Sequence, residues 1–392
     1  MPEKERTCER LLLLVGSNPL PNYLAALILK PRRICLLYSP ETEEVKNRLR
    51  ERLEARLADG KPSIEETCIE EVTSASKVRN AFPSKDLSDA HLHYTGGTKI
   101  MAAHARMAFR DAGGKDEHAS YLDERKGLLR FDDGYEMDLS KQQLKLTLDD
   151  VLALHGIMRI EQGIQQPDGR PTDKDAEIIA KAVLNDPSLA GKLYSIHRDD
   201  NNKRLSFGKA KADAVMLNKM VPCGLSIKQI PEAHWNKKTY ETWLGFLGGG
   251  WLETWCGVLV RHIANGDEMA VGLDCQLANG RQCEIDVALV RGHRLYVVSC
   301  TTDTTIRLCK SKLFEVAMRA RQLGGDLARS ALVCLLDGDD SKGAFVDQLR
   351  NDVADVWDAP NTPQVFGLDD VKEWAGVNAD PNTDSLKRWL DS

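Results

Sequence analysis

The sequence predicts an α/β chain of two dissimilar domains: an N-terminal Rossmann-like unit with a parallel-rich sheet, and a C-terminal α/β core in which antiparallel strands lie between helices. Three observations carry this. The first 115 or so residues alternate apolar runs with amphipathic helical patterns. The C-terminal third instead orders a helix, a hairpin, a helix and a strand. A chain of 392 residues also exceeds what one core comfortably holds.

The N-terminal cycle opens with "RLLLLVGSN", an apolar strand, and "PLPNYLAALILK", a helix with proline at its start. "RRICLLYS" and "ETEEVKNRLRERLEARLAD" repeat the cycle, followed by "TCIEEV", "SASKVRNAF", "AHLHYTGG" and "TKIMAAHARMAFRDAG". Strands apolar on both faces that alternate with helices indicate a parallel sheet covered on both sides. "ASYLDERKGLLRFDDGYEMDL" reads as a hairpin turning at Arg125-Lys126-Gly127, and "TLDDVLALHG" as a helix leaving the domain. The boundary falls between Thr147 and Asp168, so the first domain covers residues 1–150.

Residues 151–240 are predicted as a linker and an intermediate helical segment: "QQPDGRPTDKD" is polar, "KDAEIIAKAVL" is helical, and the run to "IPEAHWNKKTYETW" is weakly patterned. Residues 241–392 form the second domain. It begins with one long helix from Thr242 through "WLGFLGGGWLETWCGVLVRHI" and continues with the hairpin "CEIDVALVRGHRLYVVSCTT". The helix "TIRLCKSKLFEVAMRARQL" and the strand "SALVCLLD" follow.

Composition narrows the function classes. Charged residues at 29% and apolar residues at 42% are those of soluble globular protein. Apolar runs such as Leu11–Val15 fall far short of the roughly 20 residues of a membrane span, and "MPEKERTCER" has no signal-peptide pattern, so a cytoplasmic protein without membrane contact is expected. Ten scattered cysteines with no CxxC pair predict reduced thiols, no disulfide and no structural zinc. A net charge of −6 argues against non-specific coating of nucleic acid and leaves room for a local basic groove.

In an open α/β sheet, ligands sit beyond the carboxyl ends of the strands, facing helix N-termini. Three segments turn polar there: Gly16, Ser17 and Asn18 after the first strand, Tyr38 and Ser39 after the second, and Thr95, Gly96, Gly97, Thr98 and Lys99 after a later one. Glycines let backbone N–H groups approach an anion, the threonines add hydroxyls, and Lys99 adds a charge. The loop has neither Walker nor GxGxxG spacing, and by itself a glycine pair before a helix is more often only a tight turn. Three polar strand ends in one unit favour an anion site.

"VGSNPLPNY" together with "YTGGTKIMAAHA" resembles the CARF domain, the CRISPR-associated Rossmann fold that senses cyclic oligoadenylates, over roughly residues 8 to 145. The resemblance implies a homodimer with cyclic tetra-adenylate, an allosteric activator, lying across the two-fold axis. It also implies that Ser17, Asn18, Thr95, Gly96, Gly97, Thr98 and Lys99 line the pocket, with Tyr38 and Ser39 as further contributors.

A second site is predicted in "CEIDVALV", where the strand period puts Glu284 and Asp286 on one face, continued by Ala288 and Val290. Paired carboxylates are what Mg²⁺ or Mn²⁺ takes from a protein. "GGGWLETW" with "EIDVALVRGHRLYVVSCTT" resembles the PD-(D/E)xK nuclease core, in the version attached to CARF domains in type III CRISPR ancillary nucleases, over about residues 242 to 338. The resemblance assigns Glu253 and Asp286 to the metal. It also requires a (D/E)xK strand end, where this chain has Ser299, Cys300, Thr301 and Thr302. A two-residue turn at Gly292-His293 would pair Asp286 with Ser299, and a three-residue loop would pair it with Cys300. Either Glu284 with Lys310 or Lys312 from the following helix rebuilds the site, or the domain binds without cleaving. His293 is expected to be an exposed turn residue, and His91 and His93 to share one strand face in a core or surface role rather than on a metal.

The function expected is therefore a cyclic tetra-adenylate-activated, metal-dependent nuclease of type III CRISPR antiviral defence, nicking DNA, cleaving RNA, or both. The alternatives are a cyclic-oligoadenylate sensor with an inactive nuclease domain and a ring nuclease that degrades its own ligand.

Overall fold

The computed structural model describes residues 6–57, 62–82, 86–160, 169–195, 222, 224–230, 234–337, 345–357 and 361–392. Its first sheet is built from β1 (Arg10–Leu14), α1 (Leu20–Leu29), β2 (Arg33–Tyr38), α2 (Glu43–Arg56), β3 (Ser63–Cys68), α3 (Ala75–Ala81), β4 (Ala90–His93) and α4 (Lys99–Asp111). The strands β5 (Ala119–Asp123), β6 (Leu128–Phe131) and β7 (Glu136–Asp138) complete it. The order is β3-β2-β1-β4-β5-β6-β7. The pairs from β3 to β5 are parallel and those from β5 to β7 antiparallel.

Leu11 to Leu14 are fully buried because the strand is covered on both faces: Leu11 and Leu13 pack with α1 and α2, while Leu12 and Leu14 pack against α4. This is the burial that a continuous apolar strand predicts. The predicted turn at Arg125-Lys126-Gly127 lies between β5 and β6, with Gly127 at φ 65°.

Next come α5 (Leu148–Leu154), β8 (Met158–Arg159), α6 (Asp173–Asn185) and α7 (Ser188–Ser195). Thr172 and Asp175 cap the start of α6 reciprocally, at 3.2 and 2.8 Å. Asp175 also accepts from the Ser226 N–H and hydroxyl, each at 2.7 Å, so one carboxylate anchors the weakly patterned turn around Leu225. Most of the run from 196 to 223 lies outside the described residues.

The second sheet follows, with α8 (Lys237–Gly245), α9 (Trp251–Ala264), β9 (Glu268–Gln276), β10 (Gln282–Arg291), β11 (Arg294–Thr301), α10 (Ile306–Gly324) and β12 (Arg329–Cys334). It ends with α11 (Phe345–Val356), β13 (Gln364–Phe366), α12 (Leu368–Ala375) and α13 (Asp384–Leu390). Its order is β13-β12-β11-β10-β9-β8, antiparallel from β8 to β11 and parallel from β11 to β13. The single long helix expected from Thr242 is instead two. A π-type turn over Phe246–Gly250 separates α8 from α9, and Gly249 stands at φ 157°, outside helical geometry. Three consecutive glycines supply the backbone freedom this break needs.

Candidate functional site

In the first sheet the strand order reverses direction at the β1/β4 pair, which is a topological switch point. The β1-end loop and the Thr95–Lys99 loop meet there backbone against backbone. A Cβ on Gly96 would overlap the Leu14 carbonyl oxygen, and one on Gly16 would lie 2.7 Å from the Gly97 nitrogen. Gly97 takes φ 76°. Thr98 caps α4 by accepting from the Met101 N–H at 3.1 Å, so the helix N-terminus opens onto the crevice. Ser17, Gly97, Thr98 and Lys99 are exposed at this edge.

The other residues predicted for this pocket are engaged elsewhere. Thr95 accepts from the Leu122 N–H at 2.5 Å. Ser39 is buried within the turn after β2, where its N–H donates to Thr42 Oγ1 at 3.0 Å. The Tyr38 ring covers Lys46, whose Nζ lies 4.8 Å from the centroid. Asn18 Oδ1 accepts from the Leu20 N–H at 3.1 Å, and its amide group also meets Glu124 and His155. Beneath the crevice, His91 and His93 both bond the Ser120 hydroxyl, at 2.7 and 3.2 Å, and are buried. Burial pushes the His93 imidazole down to about 3. These two histidines form a neutral core pair.

In the second sheet the turn at Gly292-His293 is the two-residue one: Arg291 pairs with Arg294 and Val287 with Val298, which brings Asp286 opposite Ser299. Ser299 donates its hydroxyl to Asp286 Oδ2 at 3.0 Å, and the Cys300 N–H donates to the same oxygen at 2.6 Å. The strand end that lacks the (D/E)xK acid therefore orients the acid on its neighbour. Glu253 stands in the first turn of α9, whose residues Trp251, Leu252, Trp255 and Cys256 are buried. Burial first, then the charges of Asp286 and Glu284, raise the Glu253 carboxyl to about 8, while Lys312 opposes the shift. Burial also raises Asp286 and Glu284, and Lys312 again acts against it.

The two candidate lysines part here. Lys312 lines a cavity of about 40 Å³ with Glu284, Asp286, Ser299, Glu315 and Arg319. Lys310 lies on another side of α10 and pairs with Asp352 of α11 at 2.8 Å. Glu315 and Arg319 join this lining beyond the residues the sequence reading names, and their spacings of three and seven from Lys312 put them on its helix face. His293, expected to be exposed, is 5% exposed: it packs against Gly127 of the first sheet, and burial lowers its imidazole to about 4.

The cavity beside Lys312 admits an ion or a water and no nucleotide. A larger one of about 720 Å³ is lined by Glu253, Gly248, Gly249, Tyr194 and Cys300 through Thr305. Among the described residues no three His, Cys, Asp or Glu side chains gather closely enough to hold a metal by themselves. Mg²⁺ takes only one or two carboxylates and completes its shell with water and substrate phosphate, and the charges of Asp286 and Glu284 that, after burial, raise Glu253 are ones such an ion would neutralise. The donor set fits such an ion.

A switch-point crevice in a parallel-rich sheet, followed by a carboxylate-bearing mixed sheet, gives the chain the fold of a CARF domain joined to a restriction-endonuclease-like domain. Among solved structures, Can2 from Sulfobacillus thermosulfidooxidans in complex with cyclic tetra-adenylate matches at a TM-score of 0.64 and 16% identity, over 98% of this chain and 97% of that one. Protein VC1899 from Vibrio cholerae matches at 0.63 and 16%, over 97% and 98%. At this identity the likeness is one of fold. No family model and no curated protein sequence matches the chain.

Proposed function

We propose that the protein is a cyclic tetra-adenylate-gated, metal-dependent nuclease of type III CRISPR defence, acting in the cytoplasm as a homodimer on DNA, RNA or both. Residues 1–150 would be the sensor, 151–240 the intermediate segment and 241–392 the nuclease. The observation that carries the reading is the pair Glu284 and Asp286 lining one cavity with Lys312, with Glu253 near enough for its carboxyl to feel all three charges. The fold shared with Can2, solved with cyclic tetra-adenylate, supports the ligand.

In the sensor, Ser17, Thr98, Lys99 and the free N–H groups at the start of α4 would hold the ligand's phosphates. In the nuclease, Glu253 and Asp286 would hold Mg²⁺ or Mn²⁺, which when bound polarises the phosphate and acidifies water. Asp286 is fixed for this by Ser299 and the Cys300 N–H. Hydrolysis joins a water oxygen to phosphorus and releases the bridging oxygen. Glu284, exposed at the cavity's edge, would take the proton the water loses, and the Lys312 ammonium would balance charge growing on the phosphoryl oxygens.

Purified protein with Mn²⁺ should cleave supercoiled DNA or single-stranded RNA only when cyclic tetra-adenylate is added. Both substrates left intact would defeat the nuclease reading, and linearised oligoadenylate in the same tube would mark a ring nuclease instead.

A further inference from the structure

The ligand loop and the helix that carries Lys312 are joined by one hairpin. Thr95 Oγ1 accepts from the N–H of Leu122 on β5, at 2.5 Å. Two residues further on, Glu124 opens the β5–β6 turn and reaches both ways. One carboxylate oxygen is 3.5 Å from the Asn18 Nδ2, on the β1-end loop. The other accepts the backbone N–H of Asp326 at 3.0 Å, two residues past the end of α10. His155, just after α5, closes the group with Nε2 3.3 Å from Asn18 Oδ1.

The approach is close enough to demand glycine on the far side. Gly325 has φ 60°, and a Cβ there would overlap the Asn18 amide and lie 3.1 Å from Glu124 Oε2. A second contact braces the same hairpin tip, since a Cβ on Gly127 would lie 3.0 Å from His293 Nε2 and 3.1 Å from an Arg294 nitrogen. Between the Glu124 contact and Lys312 runs one continuous helix of about 18 Å, a rod that transmits displacement of its end.

We infer that the tip of the β5–β6 hairpin carries ligand occupancy from the Thr95–Lys99 loop to the carboxylate site, with Glu124 as the positioning residue that grips the end of α10. The inference rests on the gated-nuclease reading and names its route. A ligand drawn onto the Thr95 loop shifts β5 through the Thr95–Leu122 bond. The Glu124 carboxylate, bonded to the Asp326 N–H, then moves the end of α10, and Lys312 moves with it. Asn18 belongs to this joint and not to the ligand surface.

The test uses full-length Glu124→Gln and Gly325→Ala. In Glu124→Gln the side chain keeps its shape, but one of its two acceptors becomes a donor facing Asn18 or Asp326. Each variant should bind cyclic tetra-adenylate within about threefold of wild type, while the ligand-dependent rise in cleavage falls at least tenfold, within the 5–150-fold span of typical allosteric coupling. Hydrogen exchange supplies a readout independent of catalysis: ligand should change exchange across residues 306–327 in wild type and not in Glu124→Gln. Wild-type activation ratios in both variants, or exchange that changes at 95–99 and not at 306–327 in wild type, would overturn the inference while leaving the ligand reading intact. Ligand bound without any cleavage by wild type would defeat the nuclease reading, and the exchange comparison would still decide the route. No binding by wild type would overturn both.

Discussion

Glu253→Gln separates a buried, charge-crowded carboxylate from a solvated one by its effect on stability alone. The wild-type carboxyl rises from 4.5 to about 8 on folding, chiefly through burial and then through Asp286 and Glu284. An acid whose folded value lies above its unfolded one holds its proton longer in the native state. Its contribution is therefore fully present below about 4.5 and is lost as pH rises towards 8. The corresponding upper limit is roughly 3 kcal/mol at pH 7 and nearer 4 at pH 8. Glutamine has the same shape and no charge, so it removes this penalty. The variant should melt a few degrees above wild type at pH 8 and close to it at pH 5, followed by circular dichroism in EDTA. Adding Mg²⁺ should raise the wild-type midpoint at pH 8 and leave the variant nearly unmoved, with cleavage lost about 100-fold or more. A variant that melts lower than wild type by the same amount at both pH values would refute the assignment, because an ordinary hydrogen-bonding glutamate behaves that way.

Lys312→Ala should abolish metal-dependent cleavage, whereas Lys310→Ala, which breaks a half-exposed pair with Asp352, should cut the rate less than about threefold and cost under about 1 kcal/mol by urea titration. Lys99→Ala should weaken cyclic tetra-adenylate binding about tenfold and flatten its salt dependence, measured by calorimetry at two ionic strengths. Gly96→Ala drives a methyl into the Leu14 carbonyl and should lose about 2 kcal/mol or more together with ligand binding. Ser120→Ala strands two buried imidazoles and should cost about 1–3 kcal/mol without altering cleavage by the remaining folded protein.

The parallel strands were legible because Leu11–Leu14 and Ile34–Leu37 are apolar on both faces, a pattern that leaves few alternatives. The register at Gly292-His293 was legible as two choices, and the Arg291–Arg294 pair selects between them. What escaped were properties that arise between elements. Lys310 and Lys312 are two residues apart on one helix, and only the roll of α10 against the sheet turns one to Asp352 and the other to Asp286. His293 reads as a turn residue in any local window, yet the first sheet covers it. Asn18 sits in the loop beyond the β1 end, at the switch-point crevice, while its side chain turns to Glu124. Gly249 ends a helix that periodicity alone would have continued, because an apolar stripe can run on through a break in the backbone.

One apolar cluster runs without interruption from Leu11, Tyr23 and Leu53 through Leu148, Val151 and Leu154 to Leu273, Leu313 and Leu332. The two sheets thus share a single apolar seam, and α5 is its filling. A protein engineer who wished to exchange the N-terminal half for another could not cut at the obvious loop: the graft would have to bring its own counterpart of α5, matched in volume to the face of α10. The same seam means that a truncated half would expose leucines on either side of the cut and would be recovered as aggregate rather than as an autonomous module.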